Sequence, residues 1–173
     1  MPFAKAWFPN QVEKALKPRV FPRPRPRPLR LRLKSESRVT TEQRRPTVII
    51  ADDHVDVHPL LRRILEPEFD VVESVLNGQA LLEAALNLRP DLIVVDVLMP
   101  VMGGIEAVKQ LKAQLSSVAV VFISTDAEQE NLQRALQSGA RAFVRKASAA
   151  EHLLLAARAA LNGQRFFVEP RKL

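Results

Sequence analysis

Five side chains that can bind a metal ion or a phosphoryl group stand directly after apolar segments of the sequence. Three are carboxylates, one is a hydroxyl and one is an amine: Asp52, Asp53, Asp96, Ser124 and Lys146. Carboxylates 4–5 Å apart repel one another by about 4 kcal/mol at an effective dielectric near 20, so three together favour a bound cation. Oxygen donors of this kind suit Mg²⁺, and a lysine can pair with the carboxylates or hold a phosphoryl oxygen. The residue types are therefore candidates for a magnesium and phosphoryl site, if the fold brings them together.

The segments around these side chains alternate between two hydrophobic patterns. Short runs rich in apolar and β-branched residues predict buried strands. These runs lie at 47–51, 70–75, 92–96, 119–124 and within 140–146. Between them, apolar residues recur at helical spacing, and Gly139 is a typical helix stop. The positions that predict the first four helices are Leu60, Leu61, Ile64 and Leu65; Leu81, Leu82, Ala85 and Leu86; Ile105, Val108, Leu111 and Leu115; and Leu132, Ala135 and Leu136.

Five strands alternating with five helices predict an α/β fold with a doubly wound, five-stranded parallel sheet. The fifth helix is expected over about 149–162 and is rich in Ala and Leu. In such sheets, binding sites lie beyond the carboxyl ends of the strands, at the point where the strand order reverses. The five candidate side chains follow the first, third, fourth and fifth strands, so we expect them to meet on one rim of the sheet.

The net charge of +7 is distributed unevenly along the chain. Residues 1–45 contain 13 Lys and Arg, 3 Asp and Glu and seven of the 13 prolines, whereas residues 46–173 contain 13 basic and 16 acidic residues. The sequence therefore predicts a disordered basic Pro/Arg-rich arm over 1–45, a globular domain over 46–164 and a C-terminal tail over 165–173. The Pro-Arg alternation over 22–28 excludes helix and central strand, because proline lacks an N–H and fixes φ.

Three interpretations of the arm stay open. Its arginines could bind nucleic acid or an acidic membrane non-specifically through counterion release, it could be an organelle transit peptide, or it could be an unstructured leader. The rest of the composition excludes other classes of protein. The chain has no cysteine, which excludes disulfides and thiolate chemistry, and no apolar run approaches the roughly 18 residues that span a membrane. With no signal-peptide pattern, we expect a cytoplasmic protein.

The motifs around the candidate site are similar to those of a known family. Four segments together resemble the receiver domain of bacterial two-component response regulators: IIADDH (49–54), PDLIVVDVLMPVMGG (90–104), VVFIST (120–125) and SGARAFVRKA (138–147). The resemblance leaves out the arm and implies the flavodoxin-like, chemotaxis-regulator-like fold with strand order 2-1-3-4-5. IIADDH and the tail NGQRFFVEPRKL (162–173) resemble the branch that usually carries a LuxR-type helix-turn-helix output domain. No recognition helix follows in this sequence, so a single-domain or truncated regulator is expected and sequence-specific DNA binding is disfavoured.

The resemblance implies that Asp96 is the phosphoacceptor, which attacks a phosphohistidine on a partner. Asp53 would bind Mg²⁺ directly, Asp52 would bind it mainly through water, Asp96 would also be a ligand, and the backbone carbonyl of Leu98 would complete the protein's donors. This assignment is chemically coherent, because a carboxylate nucleophile needs no general base and in-line transfer needs charge neutralisation.

The resemblance also implies a conformational switch. Ser124 would hydrogen-bond one phosphoryl oxygen and Lys146 would pair with another. Phe143 corresponds to the aromatic residue that turns inward when Ser124 is drawn to the phosphoryl group. An aspartyl phosphate adds charge and acceptor oxygens, which is the kind of local change that can bias a two-state element.

Some residues depart from the family pattern. Thr125 stands where the family usually has a small residue, and Leu98 offers no polar side chain to position a hydrolytic water. Thr125 and the acidic Asp126 that follows it predict an altered phosphoryl lifetime. His54 and His58 flank the acidic pair, and we interpret them as exposed histidines at the entry to a helix rather than as metal ligands.

The predicted function is a receiver in a phosphorelay that is no enzyme beyond its own phosphotransfer and dephosphorylation. Expected partners are a sensor histidine kinase or phosphotransfer protein, a downstream output protein contacted through the fourth helix, fifth strand and fifth helix, and a second copy in a homodimer. The alternatives are a degenerate receiver that docks proteins without phosphorylation, and nucleic acid binding by the arm. A phosphatase of haloacid-dehalogenase type is excluded, because Leu98 stands where it needs a second acid.

Overall fold

A computed structural model describes residues 44–125 and 129–167. The predicted arm lies outside the described residues except for Arg44 and Arg45. The described residues form a parallel sheet with helices on both faces. The strands are β1 (Thr47–Ala51), β2 (Asp70–Val75), β3 (Leu92–Asp96), β4 (Ala119–Ser124), β5 (Ala142–Arg145) and β6 (Phe166–Phe167). The helices are α1 (His58–Leu65), α2 (Gly78–Leu88), α3 (Gly104–Gln114), α4 (Gln129–Gln137) and α5 (Ala149–Leu161).

The strand order in the sheet is β2-β1-β3-β4-β5-β6. This confirms the predicted parallel α/β fold and the order of its first five strands. The sheet differs from the prediction in having a sixth, two-residue strand, which comes from the predicted tail. After α5 the chain turns at Gly163, whose φ of +75° suits a glycine, and returns parallel to β5.

The central strands are buried on both faces, which explains their continuous apolar sequences. Along β1, Val48 and Ile50 face the layer formed by α1 and α5, whereas Ile49 and Ala51 face α2, α3 and α4. This alternation follows from the two-residue period of a strand. Each face of the sheet therefore has its own hydrophobic core, and both cores hold the strand ends in place.

One apolar residue that helped to predict a helix lies on the surface. Leu60 of α1 is 50% exposed. The buried residues of α1 are Leu61 and Leu65, which are four residues apart and therefore share one face of the helix. A short helix that touches the sheet along one narrow stripe leaves the neighbouring apolar position in solvent.

The start of α3 packs closely against the end of β3. A Cβ atom on Gly104 would lie 1.9 Å from the carbonyl oxygen of Asp96 and 2.8 Å from a methyl carbon of Val95. The preceding residue, Gly103, has an ordinary φ of −69°, and a Cβ there would come no closer than 3.6 Å to any neighbour. Of the two adjacent glycines, only Gly104 is required, and its role is to let the backbone pass directly over Asp96.

We expect Gly104→Ala to lower the free energy of unfolding by about 2–3 kcal/mol, since the new methyl group displaces the backbone of Asp96. The matched variant Gly103→Ala should change it by less than about 1 kcal/mol, because its Cβ fits and only a helix cap is altered. Urea titrations of both variants measure the difference. Equal losses for the two would show that close packing at Gly104 is not the cause.

Candidate functional site

The predicted site residues lie together at the carboxyl edge of the sheet. Asp52 and Asp53 follow β1, Asp96 ends β3 and Ser124 ends β4. Lys146 follows β5, as the first residue of a short 3₁₀ turn. Because the strands run parallel, these ends share one edge, and the acidic residues lie beside β1 and β3, where the strand order reverses. The fold therefore brings all five predicted side chains to one rim.

Lys146 bridges two buried carboxylates. Its Nζ atom lies 2.7 Å from Oδ2 of Asp52 and 2.6 Å from Oδ2 of Asp96. Asp52 is fully buried and Asp96 is 4% exposed, while the Lys146 side chain is 11% exposed. One ammonium group thus faces two carboxylates in a poorly solvated position, so the bridge leaves net negative charge in the site.

The surroundings shift the pKa values of two of these groups. Burial raises the pKa of Asp96 above its usual value; the hydrogen bond and charge of Lys146 oppose this, and the negative charge of Asp52 adds to it. Burial alone would lower the pKa of Lys146, but its hydrogen bonds to Asp52 and Asp96 and the charges of both carboxylates outweigh burial and raise it. Lys146 is therefore a permanent cation in this site at neutral pH.

Asp53 lies nearer the solvent, beside a histidine. Nδ1 of His54 is 2.9 Å from Oδ1 of Asp53 and 3.4 Å from Oδ1 of Asp52, and the backbone N–H of His54 donates to the same oxygen of Asp52 at 3.0 Å. His58 reaches the other side of the loop, with Nε2 2.8 Å from the backbone carbonyl of Asp52. His54 is exposed, as expected, but its ring also contacts both carboxylates, which the sequence did not predict. His58 was expected to be exposed as well, but it is half-buried against this loop.

The acidic side chains have the composition of a site for a hard divalent cation. Ligand atoms of Asp52, Asp53, His54 and Asp96 all lie within 4.8 Å of one another. Oδ2 of Asp52 contacts Nζ of Lys146 at 2.7 Å and Oδ1 of Asp53 contacts Nδ1 of His54 at 2.9 Å, and each of these oxygens keeps a second lone pair that can bind a cation. Three carboxylates that share one ammonium group leave net negative charge in a poorly solvated position, which a bound cation would offset. The residues present therefore fit Mg²⁺, which Asp52, Asp53 and Asp96 would hold.

The remaining predicted residues surround the acidic group. Ser124 is buried at the end of β4, and Thr125 next to it is exposed. Phe143 of β5 is 2% exposed and belongs to the core beneath α2, α3 and α4, so its ring is in the inward orientation. The backbone N–H of Leu98 lies 3.4 Å from Oδ1 of Asp96. Metal binding by the Leu98 carbonyl stays a prediction.

Two features of the site were not found from the sequence. The contact of His54 with the acidic pair depends on the side-chain orientation, which no local pattern specifies. The close approach of Gly104 to Asp96 depends on how α3 packs against β3. The pair Gly103-Gly104 was a signal of this approach, but the sequence cannot tell which glycine is required.

The fold and the site define a class of protein: a doubly wound α/β domain whose buried acidic residues meet a lysine at the carboxyl edge of the sheet. Residues 48–158 match the family described as the response regulator receiver domain. The chain belongs to this family. Among the described residues, no helix is both long and apolar enough to cross a membrane.

Several relatives show the same family at the level of sequence. The chain is 34% identical over 122 residues to the response regulator protein VraR of Staphylococcus saprophyticus, a match that covers 69% of this chain and 58% of VraR. It is 30% identical over 99 residues to the chemotaxis protein CheY of Halobacterium salinarum, covering 57% of this chain and 82% of CheY. The chain thus spans little more than half the length of VraR.

Solved structures of receiver domains have the same fold. The signal receiver domain of the putative response regulator NarL from Mycobacterium tuberculosis superposes with a TM-score of 0.66 at 27% identity, covering 69% of this chain and 98% of that domain. The isolated receiver domain of RcsB from Salmonella enterica, solved with the phosphomimetic BeF₃⁻, superposes with a TM-score of 0.66 at 27% identity. This match covers 72% of the chain and 94% of the RcsB domain.

We expect Lys146→Met to lower the free energy of unfolding by about 3–5 kcal/mol at pH 7.5, since it leaves two buried carboxylates without their cation. The loss should shrink as the pH falls toward 5. The pKa of Asp96 is raised in the folded state, so protonation of Asp96 at low pH stabilises the folded protein relative to the unfolded chain. This stabilisation should be larger in Lys146→Met, because the lysine no longer favours the charged carboxylate. Urea titrations at several pH values measure this dependence.

The neighbouring cation provides the control. Arg145 is exposed at the end of β5, and Arg145→Met should change stability by no more than about 0.5 kcal/mol at either pH. A pH-independent loss in Lys146→Met would contradict the electrostatic explanation and indicate lost packing of the lysine side chain instead.

Proposed function

We propose that this protein is a phosphoacceptor receiver that takes a phosphoryl group on Asp96 from a histidine kinase or phosphotransfer protein, with Mg²⁺ as cofactor. One observation carries the proposal. Lys146 touches both Asp96 and Asp52, with Asp53 beside them, at the carboxyl edge of a receiver fold. This arrangement combines a nucleophilic carboxylate, a fixed cation and metal-binding oxygens in one small volume.

The transfer forms one bond and breaks one bond. An oxygen of Asp96 attacks the phosphorus atom of a phosphohistidine, and the histidine nitrogen leaves with the electron pair of the N–P bond. Asp96 needs no base, because a carboxylate is already an anion at neutral pH. Lys146 supplies positive charge where charge develops on the phosphoryl oxygens. When bound, Mg²⁺ would neutralise further charge on the same oxygens.

The aspartyl phosphate changes the electrostatics of the site. It replaces one carboxylate charge with about two charges and adds acceptor oxygens. Lys146 is close enough to Asp96 to move from the carboxylate to a phosphoryl oxygen. The Ser124 hydroxyl, at the end of the adjacent strand, is the donor for another oxygen. A movement of Ser124 would open or close space beside Phe143 of the next strand, which connects the site to the side of the sheet where α4 lies.

The proposed role sets the partners and the location. The phosphoryl donor is a cytoplasmic kinase or phosphotransfer domain, which places this protein in the cytoplasm. The product is a phosphorylated switch rather than a released compound, so the only catalysis is the protein's own phosphotransfer and dephosphorylation. A downstream protein or a second copy of the chain reads the switch. Leu98, two residues after Asp96, is exposed and apolar, so its side chain does not activate a water molecule.

We expect the purified protein to gain the mass of one phosphoryl group when it is incubated with acetyl phosphate and Mg²⁺. Asp96→Asn should abolish the gain, because the amide is not a nucleophile, and omission of Mg²⁺ should slow it at least tenfold. Intact-mass spectrometry measures the phosphorylated fraction over time. Asp53→Asn should behave like omission of Mg²⁺.

The matched control is Asp56→Asn, which removes an exposed acid a few residues from the acidic pair. This variant should be phosphorylated like the parent protein. If neither acetyl phosphate nor a phosphorylated histidine kinase modifies the parent protein, the proposal fails. The protein would then act as a receiver that docks partners without phosphorylation.

A further inference from the structure

The outer edge of β5 is covered by the chain itself. β6 pairs with it in parallel, with Phe166 opposite Ala142 and Phe167 opposite Phe143. The backbone N–H of Phe166 donates to the carbonyl of Arg141 at 3.0 Å. A partner that approaches β5 from this side therefore meets β6 first.

The turn before β6 has its own anchor. The guanidinium group of Arg141 donates to the carbonyl of Gly163 at 2.7 Å. Arg141 thus holds the chain twice, with its side chain at the turn and with its backbone carbonyl at Phe166. These two hydrogen bonds fix the sixth strand at the edge of the sheet.

The two phenylalanines of β6 pack on opposite faces of the sheet. Phe166 packs against the core on the α1 and α5 side, with its ring centroid 6.1 Å from that of His152 in α5. Phe167 packs against the other core, which contains Phe143. Adjacent residues in register on parallel strands point to the same face, and the strands lie about 4.8 Å apart. Phe167 is therefore the lateral neighbour of Phe143.

We propose that β6 holds Phe143 in its buried orientation and so belongs to the conformational switch. An outward turn of Phe143 would carry its ring from beneath α4 across the edge of the sheet, into the space beside β5 that Phe167 occupies. A docked β6 excludes that orientation, and an exposed Phe143 excludes a docked β6. The two elements form one two-state unit through direct contact.

The link to phosphorylation rests on the proposed function. If the phosphoryl group favours an inward Phe143, then phosphorylation and β6 docking stabilise the same state. Coupling free energies are reciprocal, so each event must strengthen the other by the same factor. A partner that needs the bare edge of β5 would bind the unphosphorylated state with β6 displaced, whereas a partner that recognises β6 would bind the phosphorylated state.

The first test uses hydrogen exchange and needs no phosphorylation. The reporter is the amide of Phe166, compared with the amide of Asp70, which donates to the carbonyl of Pro46 at the opposite edge of the sheet. In Phe143→Ala, exchange at Phe166 should become at least tenfold faster relative to Asp70. The control is Leu81→Ala, which truncates a buried residue of the same core as Phe143 but on α2, at the other end of the sheet, and should change that ratio by less than threefold. Phe143→Leu provides a milder variant if Phe143→Ala does not fold.

The second test measures the reciprocal effect on the site. Phe167→Ala should weaken the binding of beryllofluoride with Mg²⁺, a phosphoryl mimic, at least fivefold in calorimetric titrations. Leu155→Ala, which removes an exposed apolar side chain from α5, should change it less than twofold. An unchanged Phe166 exchange ratio in both Phe143 variants, or full beryllofluoride affinity in Phe167→Ala, would overturn the proposal. If the parent protein binds no beryllofluoride, the proposed function fails, and the exchange experiment alone decides whether β6 holds Phe143.

Discussion

The contact of Lys146 with Asp52 and Asp96 is the interaction on which the rest of the site depends. Two buried carboxylates share one ammonium group, so the pair of acids is only half neutralised. Burial makes that imbalance expensive, and the raised pKa of Asp96 is a direct expression of the cost. A protein selected for stability alone would replace such a group with apolar residues. Its retention fits a site whose remaining negative charge a bound cation would neutralise.

The sheet makes this arrangement possible because its strands are fixed by two separate cores. Each acidic residue comes from the end of a strand that is buried on both faces, so the backbone under the carboxylates cannot relax apart. Gly104 adds a further constraint, since α3 passes so close to Asp96 that no side chain fits between them. The hydrophobic layers thus supply the rigidity that keeps like charges together.

The same rigidity connects the site to the far edge of the sheet. Ser124 ends β4 opposite Arg145 of β5, which is two residues beyond Phe143, and Phe167 of β6 stands opposite Phe143. Close-packed neighbours of this kind cannot change orientation independently. If Asp96 is phosphorylated as we propose, the change of charge would reach the far edge of the sheet through contacts between adjacent strands rather than through a long-range field.

The sequence by itself determined the five main strands, the five helices and the five polar residues at the carboxyl edge, and the family resemblance implied the order of those strands. The apolar patterns predicted the elements because the central strands are buried on both faces, and each polar residue lies at the end of a strand or directly after it. Only the tertiary structure decided that Lys146 bridges Asp52 and Asp96, that His54 touches the acidic pair, that Gly104 rather than Gly103 is required, and that Phe166 and Phe167 form a sixth strand. These features arise from contacts between segments far apart in the chain. Such contacts depend on packing distances and side-chain orientations, which local hydrophobic patterns do not encode.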